Sequence, residues 1–273
     1  MRSLPSDLQP DQRPECWDDH VSAYETVFEP FTSQFAETAF ERLAVSNKEA
    51  VLDVGAGAGG AALALARRGA SVTAIDASPR MVKRIRDRAA GEGVRVDARE
   101  MDGQTLTFEC ASFDAAYSIF GVILFPDPVR GLIEMRRVVR PGGMVSLVAW
   151  TQPENWQLSA QLRAAALEVW PEMPPLPMPA QLRFREQADF RALFAAAGFG
   201  EVLVQTATAC LKAPSARWLA RRIEFAPGMA ALLARLGERR EAVLEVFAQR
   251  LEAGQGDGEI SLSGVAFIGS AAA

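Results

Sequence analysis

One ten-residue stretch, VLDVGAGAGG from Val51 to Gly60, constrains the fold of this 273-residue chain more than any other. Four residues with the character of a buried β-strand, 51–54, run into a turn made almost wholly of glycine and alanine. A segment with good helix propensity, 61–69, follows. A turn with so few side chains lets a ligand approach the backbone, and the first N–H groups of the helix point at that ligand. The stretch therefore predicts a strand–turn–helix unit that binds a nucleotide-like cofactor.

One interpretation of this turn is a dinucleotide site. Gly55, Gly57 and Gly60 fit the pattern G-x-G-x-x-G, and Asp76 follows about twenty residues later, where a ribose-binding acid is expected. Glycine-rich turns after strands are common, so this match alone is weak. It leaves NAD(P) as a candidate cofactor.

A second interpretation gives weight to the carboxylate inside the strand. Asp53, Gly55, Gly57 and Gly59 form the pattern acid-x-G-x-G-x-G. An acid at this place suits a ligand that carries positive charge and repels a pyrophosphate. Because S-adenosylmethionine carries both an ammonium and a sulfonium group, Asp53 favours this cofactor.

Composition and charge restrict the class of protein. The hydrophobic fraction of 49% and the charged fraction of 23% are ordinary for a globular protein, and the net charge of −5 disfavours nucleic acid or an anionic membrane as a partner. The three cysteines form no C-x-x-C pair, which disfavours a zinc site or a disulfide framework. No signal-peptide core and no run of about 18 apolar residues occurs. We expect a cytoplasmic protein without a metal; its oligomeric state stays open.

The first half of the chain predicts a tail, a helical segment and an alternating core. Residues 1–15 are polar and proline-containing and are expected to form a flexible tail. Residues 16–47 have helical periodicity, with Pro30 expected to separate two helices. Over 48–150, strand and helix signals alternate, and Ser78 before a proline is expected to cap a helix. Such alternation predicts a doubly wound parallel α/β sheet.

The second half departs from simple alternation. Residues 151–185 are rich in proline and tryptophan and are expected to form an ordered lid insertion. Residues 186–273 return to the sheet, with a helical cap inserted at about 212–256. The turn Pro141-Gly142-Gly143 is expected to precede a strand over 144–150.

Four segments together resemble the motifs of the class I S-adenosylmethionine-dependent methyltransferases, in particular the type 11 small-molecule group. In chain order they are DVGAGAGG, AIDASPRM, REMDGQTLTF, and SFDAAYSIFGVILFPDP with RRVVRPGGMV. The resemblance covers roughly residues 17–269 and is strongest over 50–150. It implies a doubly wound, seven-stranded Rossmann-like α/β sheet whose seventh strand is antiparallel, with a helical cap.

The resemblance also implies which residues bind the cofactor. Asp53 is expected near the ammonium, Asp76 at both ribose hydroxyls and Asp102 at the adenine amino group. The glycine turn is expected beside the methionine part, Met81 on the adenine, and the fourth strand's last residues at the amino-acid part. The full set is Asp53, Gly55, Ala56, Gly57, Gly59, Asp76, Ala77, Met81, Asp102, Gly103, Ser118 and Ile119.

Two residues of the N-terminal helical segment are the catalytic candidates. His20 and Tyr24 lie four positions apart, which places them on one face of a regular helix. In the family this segment closes over the cofactor, and the tyrosine position recurs whereas the histidine position does not. A lone histidine is more often incidental, and a base is needed only where the acceptor must lose a proton.

The resemblance implies methyl transfer by direct displacement. The aromatic cap predicts a partly apolar small-molecule acceptor, such as a specialised metabolite, an isoprenoid or a quinone. Two alternatives stay open. One is an NAD(P)-dependent oxidoreductase, and the other is a protein that binds S-adenosylmethionine without catalysis.

Overall fold

Seven strands form one mixed sheet in the computed structural model, which describes residues 8–45 and 48–273. The strands are β1 (Ala50–Val54), β2 (Ser71–Asp76), β3 (Val96–Glu100), β4 (Phe113–Ile119), β5 (Val139–Trp150), β6 (Leu203–Ala213) and β7 (Ile260–Ala272). Their spatial order is β3-β2-β1-β4-β5-β7-β6. The first five strands pair in parallel, and β7 runs antiparallel to both β5 and β6. The predicted sheet with an antiparallel seventh strand is confirmed.

Helices cover both faces of the sheet, as the predicted doubly wound arrangement requires. They are α1 (Pro14–Trp17), α2 (Val21–Ala23), α3 (Glu29–Thr32), α4 (Gln34–Leu43), α5 (Gly60–Arg67), α6 (Pro79–Glu92), α7 (Pro128–Val138), α8 (Gln157–Val169), α9 (Gln187–Ala196), α10 (Ala216–Ala220), α11 (Pro227–Leu236) and α12 (Arg240–Gln255). As predicted, Ser78 caps α6, with its hydroxyl accepting from the Met81 N–H. No helix in the described part of the chain has the length and apolarity of a bilayer span.

Side chains alternate between the two faces along the central strands. Val51 of β1 packs on the face that carries α5 and α6, whereas Leu52 packs in the core on the opposite face. Asp53 is in register with Tyr117 of β4, so the two side chains lie side by side at the carboxyl end of the sheet. This edge is where ligands bind in open α/β sheets.

The N-terminal helical segment differs from the prediction at Pro30. Residues Tyr24–Phe28 form a π-helical turn that leads directly into α3, and Pro30 lies inside α3. A proline has no N–H to donate, and its ring clashes with the carbonyl four residues earlier in a regular α-helix. The wider π turn removes this conflict. The break between helices therefore comes at Ser33 and not at Pro30.

The expected flexible tail is wrong for residues 8–15, while residues 1–7 lie outside the described part. Residues 9–17, which we call the strap, contain a 3₁₀ turn at Pro10–Gln12 and α1. The Gln9 side chain donates to the Met178 carbonyl (2.9 Å) and accepts from the Ala180 N–H (2.8 Å). The Asp11 carboxylate accepts from the Gly228 N–H of α11 (2.6 Å). Polar strap residues thus satisfy backbone groups of the lid and of α11.

The lid and the start of β5 complete the described fold, and the turn expected at Pro141-Gly142-Gly143 lies inside the strand. The lid, residues 151–185, contains α8 and returns through a proline-rich stretch. Strand β5 begins at Val139 and already includes the Pro-Gly-Gly sequence, because the Ala273 N–H donates to the Gly143 carbonyl (2.9 Å) and extends the pairing with β7.

Candidate active site

A cavity of about 780 Å³ lies at the carboxyl ends of β1, β2 and β4. One wall comes from the loops that follow these strands, and the opposite wall comes from the strap, the lid and α11. Its volume is in the range of sites that hold small molecules. The two walls differ in chemistry.

The glycine turn after β1 forms the first part of the loop wall. Gly55, Gly57 and Gly59 have φ values of 71°, 57° and 89°, which favour glycine. A Cβ at Gly55 would lie 2.9 Å from the Cα of Gly121, so the turns after β1 and β4 touch back to back. A Cβ at Gly57 would lie 3.1 Å from the Tyr24 ring. Residues without a side chain are therefore needed at both Gly55 and Gly57.

Asp76 ties the glycine turn to the end of β2. Its Oδ2 accepts from the Gly57 N–H (2.8 Å) and its Oδ1 accepts from the Ser78 N–H (2.9 Å). Burial raises the pKa of Asp76 to about 6, although these backbone donors oppose the rise. A carboxylate has about four acceptor sites, so two remain for a ligand in the cavity that Asp76 lines.

Asp53 lies behind the glycine turn and does not line the cavity. It is 1% exposed, and neither its Oδ2 nor the neighbouring Tyr117 hydroxyl forms a well-oriented hydrogen bond within the described residues. Burial raises the pKa of Asp53 to about 8, while the nearby Tyr117 hydroxyl lowers it and the charges of Asp76 and Glu29 raise it. A positive charge arriving close to this carboxylate would favour its ionised form.

Glu29 occupies the N-terminus of α5, a place that sequence reasoning missed. Its Oε1 accepts from the Gly60 N–H (2.9 Å), and its Oε2 pairs with Arg88 (2.6 Å). Arg88 also donates to the Ala58 carbonyl (2.8 Å). The N-terminal helical segment is thereby joined to the glycine turn, and the anion-binding end of α5 already holds a carboxylate.

The loops after β2 and β3 form the second part of the loop wall. Met81 is buried and lines the cavity beside Ala77. Asp102 is exposed, and its Oδ1 accepts from the backbone N–H of Gln104 (2.9 Å). Gly103 lies under Phe125, whose Cζ would be 2.5 Å from an added Cβ. The expected adenine-binding residues therefore share one wall with Asp76.

The end of β4 supports the glycine turn from behind. The Ser118 hydroxyl donates to the Val54 carbonyl (2.6 Å) and accepts from the Val122 N–H (3.0 Å), so its side chain is structural. Ile119 lines the cavity. Phe120 follows with a φ of 62° and stacks on Trp150 at a centroid distance of 3.9 Å.

The opposite wall is aromatic and aliphatic. Trp156 stacks on Trp150 at 5.4 Å, and Phe28 stacks on Phe225 at 4.5 Å. Aliphatic side chains of the lid and α11 continue this wall, namely Leu162, Leu167, Met173, Leu176, Met229, Leu232 and Leu236. This part of the cavity suits an apolar ligand with a flat ring.

Only one of the two catalytic candidates lines the cavity. Tyr24 lines the cavity, with its ring edge-on to Trp17 at 5.8 Å and its hydroxyl near Gly57. Burial, followed by the charge of Glu29, raises the pKa of Tyr24 above its ordinary value, so the phenol stays protonated. His20 does not line the cavity, and its Nδ1 donates to the Glu224 carbonyl (2.9 Å). His20 and Tyr24 share one helical turn, since the Tyr24 N–H donates to the His20 carbonyl (2.8 Å), but only Tyr24 lines the cavity.

Most of the expected site residues meet in the cavity wall. Those that line it are Tyr24, Gly55, Gly57, Asp76, Ala77, Met81, Asp102, Gly103 and Ile119. Those that lie behind it are His20, Asp53, Ala56, Gly59 and Ser118. The residues missed from the sequence are Glu29, Gly121, Phe125 and the strap. The Phe120-Gly121 pair directly after a buried strand was an available signal for the contact between the turns after β1 and β4.

Comparison with known families agrees with this geometry. Residues 51–143 match the family model described as a methyltransferase domain. This span runs from β1 into β5 and contains the entire loop wall apart from Tyr24.

Curated relatives match the same part of the chain. A demethylmenaquinone methyltransferase of Clavibacter sepedonicus is 35% identical over 149 residues, which is 53% of this chain and 60% of that protein. The 2-methyl-6-phytyl-1,4-hydroquinone methyltransferase 2 of Oryza sativa is 33% identical over 138 residues, 49% of this chain and 39% of that protein. An uncharacterized protein of Mycobacterium tuberculosis is 34% identical over 133 residues, 49% of this chain. The chain spans 48% of that protein's length.

Solved structures share the fold over the whole chain. The cyclase SpnF has a TM-score of 0.60 at 20% identity, with 98% of both chains covered. Phosphoethanolamine N-methyltransferase 2 of Haemonchus contortus, solved with S-adenosylhomocysteine, has a TM-score of 0.59 at 19% identity, covering 98% of this chain and 61% of that one. The chain therefore carries a methyltransferase domain over residues 51–143, within a seven-stranded sheet whose fold these solved structures share.

Proposed function

We propose that this protein transfers a methyl group from S-adenosylmethionine to an apolar aromatic acceptor, with hydroquinones as the acceptor class. The observation that carries the proposal is one continuous cavity with two kinds of wall. Glycine backbone and carboxylates line one side, and stacked aromatic rings line the other. A cofactor on the first wall and an acceptor on the second would share the same enclosed space.

The charges around the loop wall support the choice of cofactor. Asp76 and Asp102 line this end of the cavity, and Asp53 lies behind it with a buried oxygen that forms no well-oriented hydrogen bond to the described residues. The only arginines in the cavity wall of the described chain, Arg163 and Arg235, are exposed and belong to α8 and α11. Such a wall suits a ligand with ammonium and sulfonium charges.

The names of two relatives support the acceptor class. The rice protein is named for a phytyl hydroquinone and the Clavibacter protein for demethylmenaquinone. The stacked pair Trp150 and Trp156 offers a flat surface for such a ring, and the aliphatic side chains of α8 and α11 offer space for an apolar chain.

The residues of this chain would act by binding, alignment and exclusion of water. S-adenosylmethionine, when bound, supplies an activated methyl group on a sulfonium. Asp76 and the glycine turn would hold the cofactor, while Trp150 and Phe120 would orient the acceptor ring. Tyr24, protonated at neutral pH, would close the wall near Gly57 as a hydrogen-bond donor and not as a base.

Glu29 argues against the dinucleotide alternative. A dinucleotide of the G-x-G-x-x-G type places its pyrophosphate at the N-terminus of the helix after the turn. Here the Gly60 N–H already binds the Glu29 carboxylate, and a Cβ at Gly60 would lie 2.7 Å from Glu29 Cδ. Two negative groups would compete for one end of α5.

The test combines binding with turnover. Purified protein is titrated calorimetrically with S-adenosylhomocysteine and with NADH, and methyl-labelled S-adenosylmethionine is then supplied with hydroquinones, phenols and amines. We expect S-adenosylhomocysteine to bind, NADH not to bind, and label to reach a hydroquinone. Binding of NADH alone would refute the methyltransferase proposal.

The remaining alternative is a protein that binds the cofactor without methyl transfer. One neighbour of the same fold is named a cyclase, so the fold alone does not decide the reaction. Tight binding of S-adenosylhomocysteine without labelling of any acceptor in a broad metabolite panel would favour this alternative.

A further inference from the structure

One ionisable side chain of the cavity is neither part of the loop wall nor exposed. The charged residues that line the cavity in the described chain are Asp11, Glu15, Asp76, Asp102, Arg163 and Arg235. Asp76 and Asp102 belong to the loops after β2 and β3, and the two arginines and Glu15 are exposed. Asp11, in the strap, is only 8% exposed.

The strap holds the Asp11 carboxylate in a fixed position. Its Oδ1 accepts from the Gly228 N–H at 2.6 Å, and the Trp17 indole N–H donates to the Asp11 carbonyl at 2.9 Å. A Cβ at Gly228 would overlap the carboxylate, so glycine is what allows this approach. Both carboxylate oxygens lie against α11, with Oδ1 bound to the Gly228 N–H and Oδ2 2.1 Å from the position of an added Gly228 Cβ.

The second oxygen of Asp11 has no hydrogen-bond partner among the described residues. Oδ2 forms no hydrogen bond to the described residues, and it is not among the buried polar atoms that lack a partner. An oxygen of a buried residue that is neither hydrogen-bonded nor among those atoms keeps some accessible surface, and both Asp11 and Gly228 line the cavity. We infer that Oδ2 can be reached from the cavity, whose lining also includes the apolar residues Trp17, Phe225 and Met229.

A carboxylate oxygen in an apolar wall recognises a hydrogen-bond donor and repels a carbonyl oxygen. A hydroquinone carries hydroxyl donors, whereas the quinone of the same ring carries only carbonyl acceptors. The two forms have nearly the same shape, so the aromatic wall cannot separate them by fit.

We propose that the free oxygen of Asp11 binds a hydroxyl group of the acceptor and makes the cavity select the reduced hydroquinone over the quinone. The inference rests on the proposed function for the acceptor class and deepens it, because it assigns the polar end of the acceptor to one residue. The hydroquinone is also the electron-rich form of the ring, which is the form able to attack a methyl group.

Binding to the complex with S-adenosylhomocysteine tests this assignment without turnover. The probes are 1,4-naphthohydroquinone and 1,4-naphthoquinone, titrated anaerobically with tryptophan fluorescence as the signal. We expect the wild-type protein to bind the hydroquinone at least about tenfold more tightly, from one charge-assisted hydrogen bond. Asp11→Asn keeps an oxygen for the Gly228 N–H but presents an amide donor to the cavity, so this preference should vanish or reverse.

Asp127→Asn is the matched control, because Asp127 also accepts a helix N-terminal N–H, that of Arg130 at 2.9 Å, but does not line the cavity. It should keep the wild-type preference. An unchanged preference in Asp11→Asn would mean that Asp11 only caps α11 and would overturn the proposal.

A series of ligands on the wild-type protein gives a test that needs no variant. Replacing the hydroquinone hydroxyls by methoxy groups, first one and then both, should weaken binding, and the dimethyl ether should bind no better than the quinone. Equal affinity across the series, or no binding of either ring, overturns the proposal. Failure of the proposed function is a separate result, since the hydroxyl preference can be present while no labelled methyl is transferred.

Discussion

Replacement of Asp76 by alanine tests the arrangement of the loop wall most directly. The carboxylate accepts from the Gly57 and Ser78 N–H groups and has two acceptor sites left in the cavity. If these sites receive both ribose hydroxyls, alanine removes two hydrogen bonds to a charged group, about 1.5–3 kcal/mol each. The expected loss of affinity is therefore about 10²-fold to 10⁴-fold.

His20→Ala supplies the comparison. The His20 side chain makes one hydrogen bond within the described residues, to the Glu224 carbonyl, and His20 lies outside the cavity wall. We expect it to cost about 0.5–1.5 kcal/mol of the free energy of unfolding and to change cofactor affinity by less than about threefold. Calorimetric titration with S-adenosylhomocysteine measures both affinities, and urea unfolding shows whether each variant is folded. Equal losses of affinity in the two variants would refute the assignment of Asp76.

The pH dependence of binding provides an independent check on Asp76. Because the pKa of Asp76 is about 6, its protonation below that pH removes an acceptor for the ribose hydroxyls. The wild-type affinity for S-adenosylhomocysteine should therefore fall between pH 7.5 and pH 5. Asp76→Asn has no proton to gain at this position, so its affinity should change less over the same range.

Two further predictions concern the residues behind the loop wall. The pKa of Asp53 is about 8 in the folded protein and 3.8 ordinarily, so the folded state binds more protons and the free energy of unfolding falls as pH rises. Between pH 6 and 8, Asp53→Asn should make the free energy of unfolding, measured with urea, fall less steeply with pH, by up to about 1.4 kcal/mol per pH unit. The same steepness in both proteins would contradict the raised pKa of Asp53. Gly121→Ala would place a Cβ 2.8 Å from the Val54 carbonyl, and we expect a cost of about 1–3 kcal/mol together with weaker cofactor binding. Gly200→Ala, with no atom within 4 Å of its added Cβ, should change neither the free energy of unfolding nor the cofactor affinity. If Gly121→Ala left both quantities as unchanged as Gly200→Ala does, the close contact between the turns after β1 and β4 would not be needed.

Local patterns predicted the parts of the site that depend on near neighbours in sequence. The strand–turn–helix unit, the Ser78 cap and the place of Asp76 each follow from a few consecutive residues, and the structure has all three. The parallel sheet was predicted from the alternation of strand and helix signals, the antiparallel seventh strand came from the family resemblance, and the spatial order of the strands was not predicted. The spacing of His20 and Tyr24 agrees with their common helical turn, but it did not indicate that only Tyr24 would line the cavity.

Contacts between distant segments could not be predicted in this way. Glu29 reaches the Gly60 N–H across 31 residues, and nothing in the local sequence around either residue indicates the pair. The polar composition of the strap indicated a flexible tail, because composition does not show that Gln9 and Asp11 have partners elsewhere in the chain. Their partners lie 169 to 217 residues later.

The same separation has a consequence for how the protein is made. During synthesis the strap leaves the ribosome before α11, because its partner Gly228 is translated 217 residues after Asp11. The contact between Asp11 and Gly228 can form only after the sheet and α11 have assembled, because both partners must be present before the contact stabilises the fold. The earliest described segment is thus among the last to dock. Until the strap docks, the part of the cavity wall that it supplies is missing.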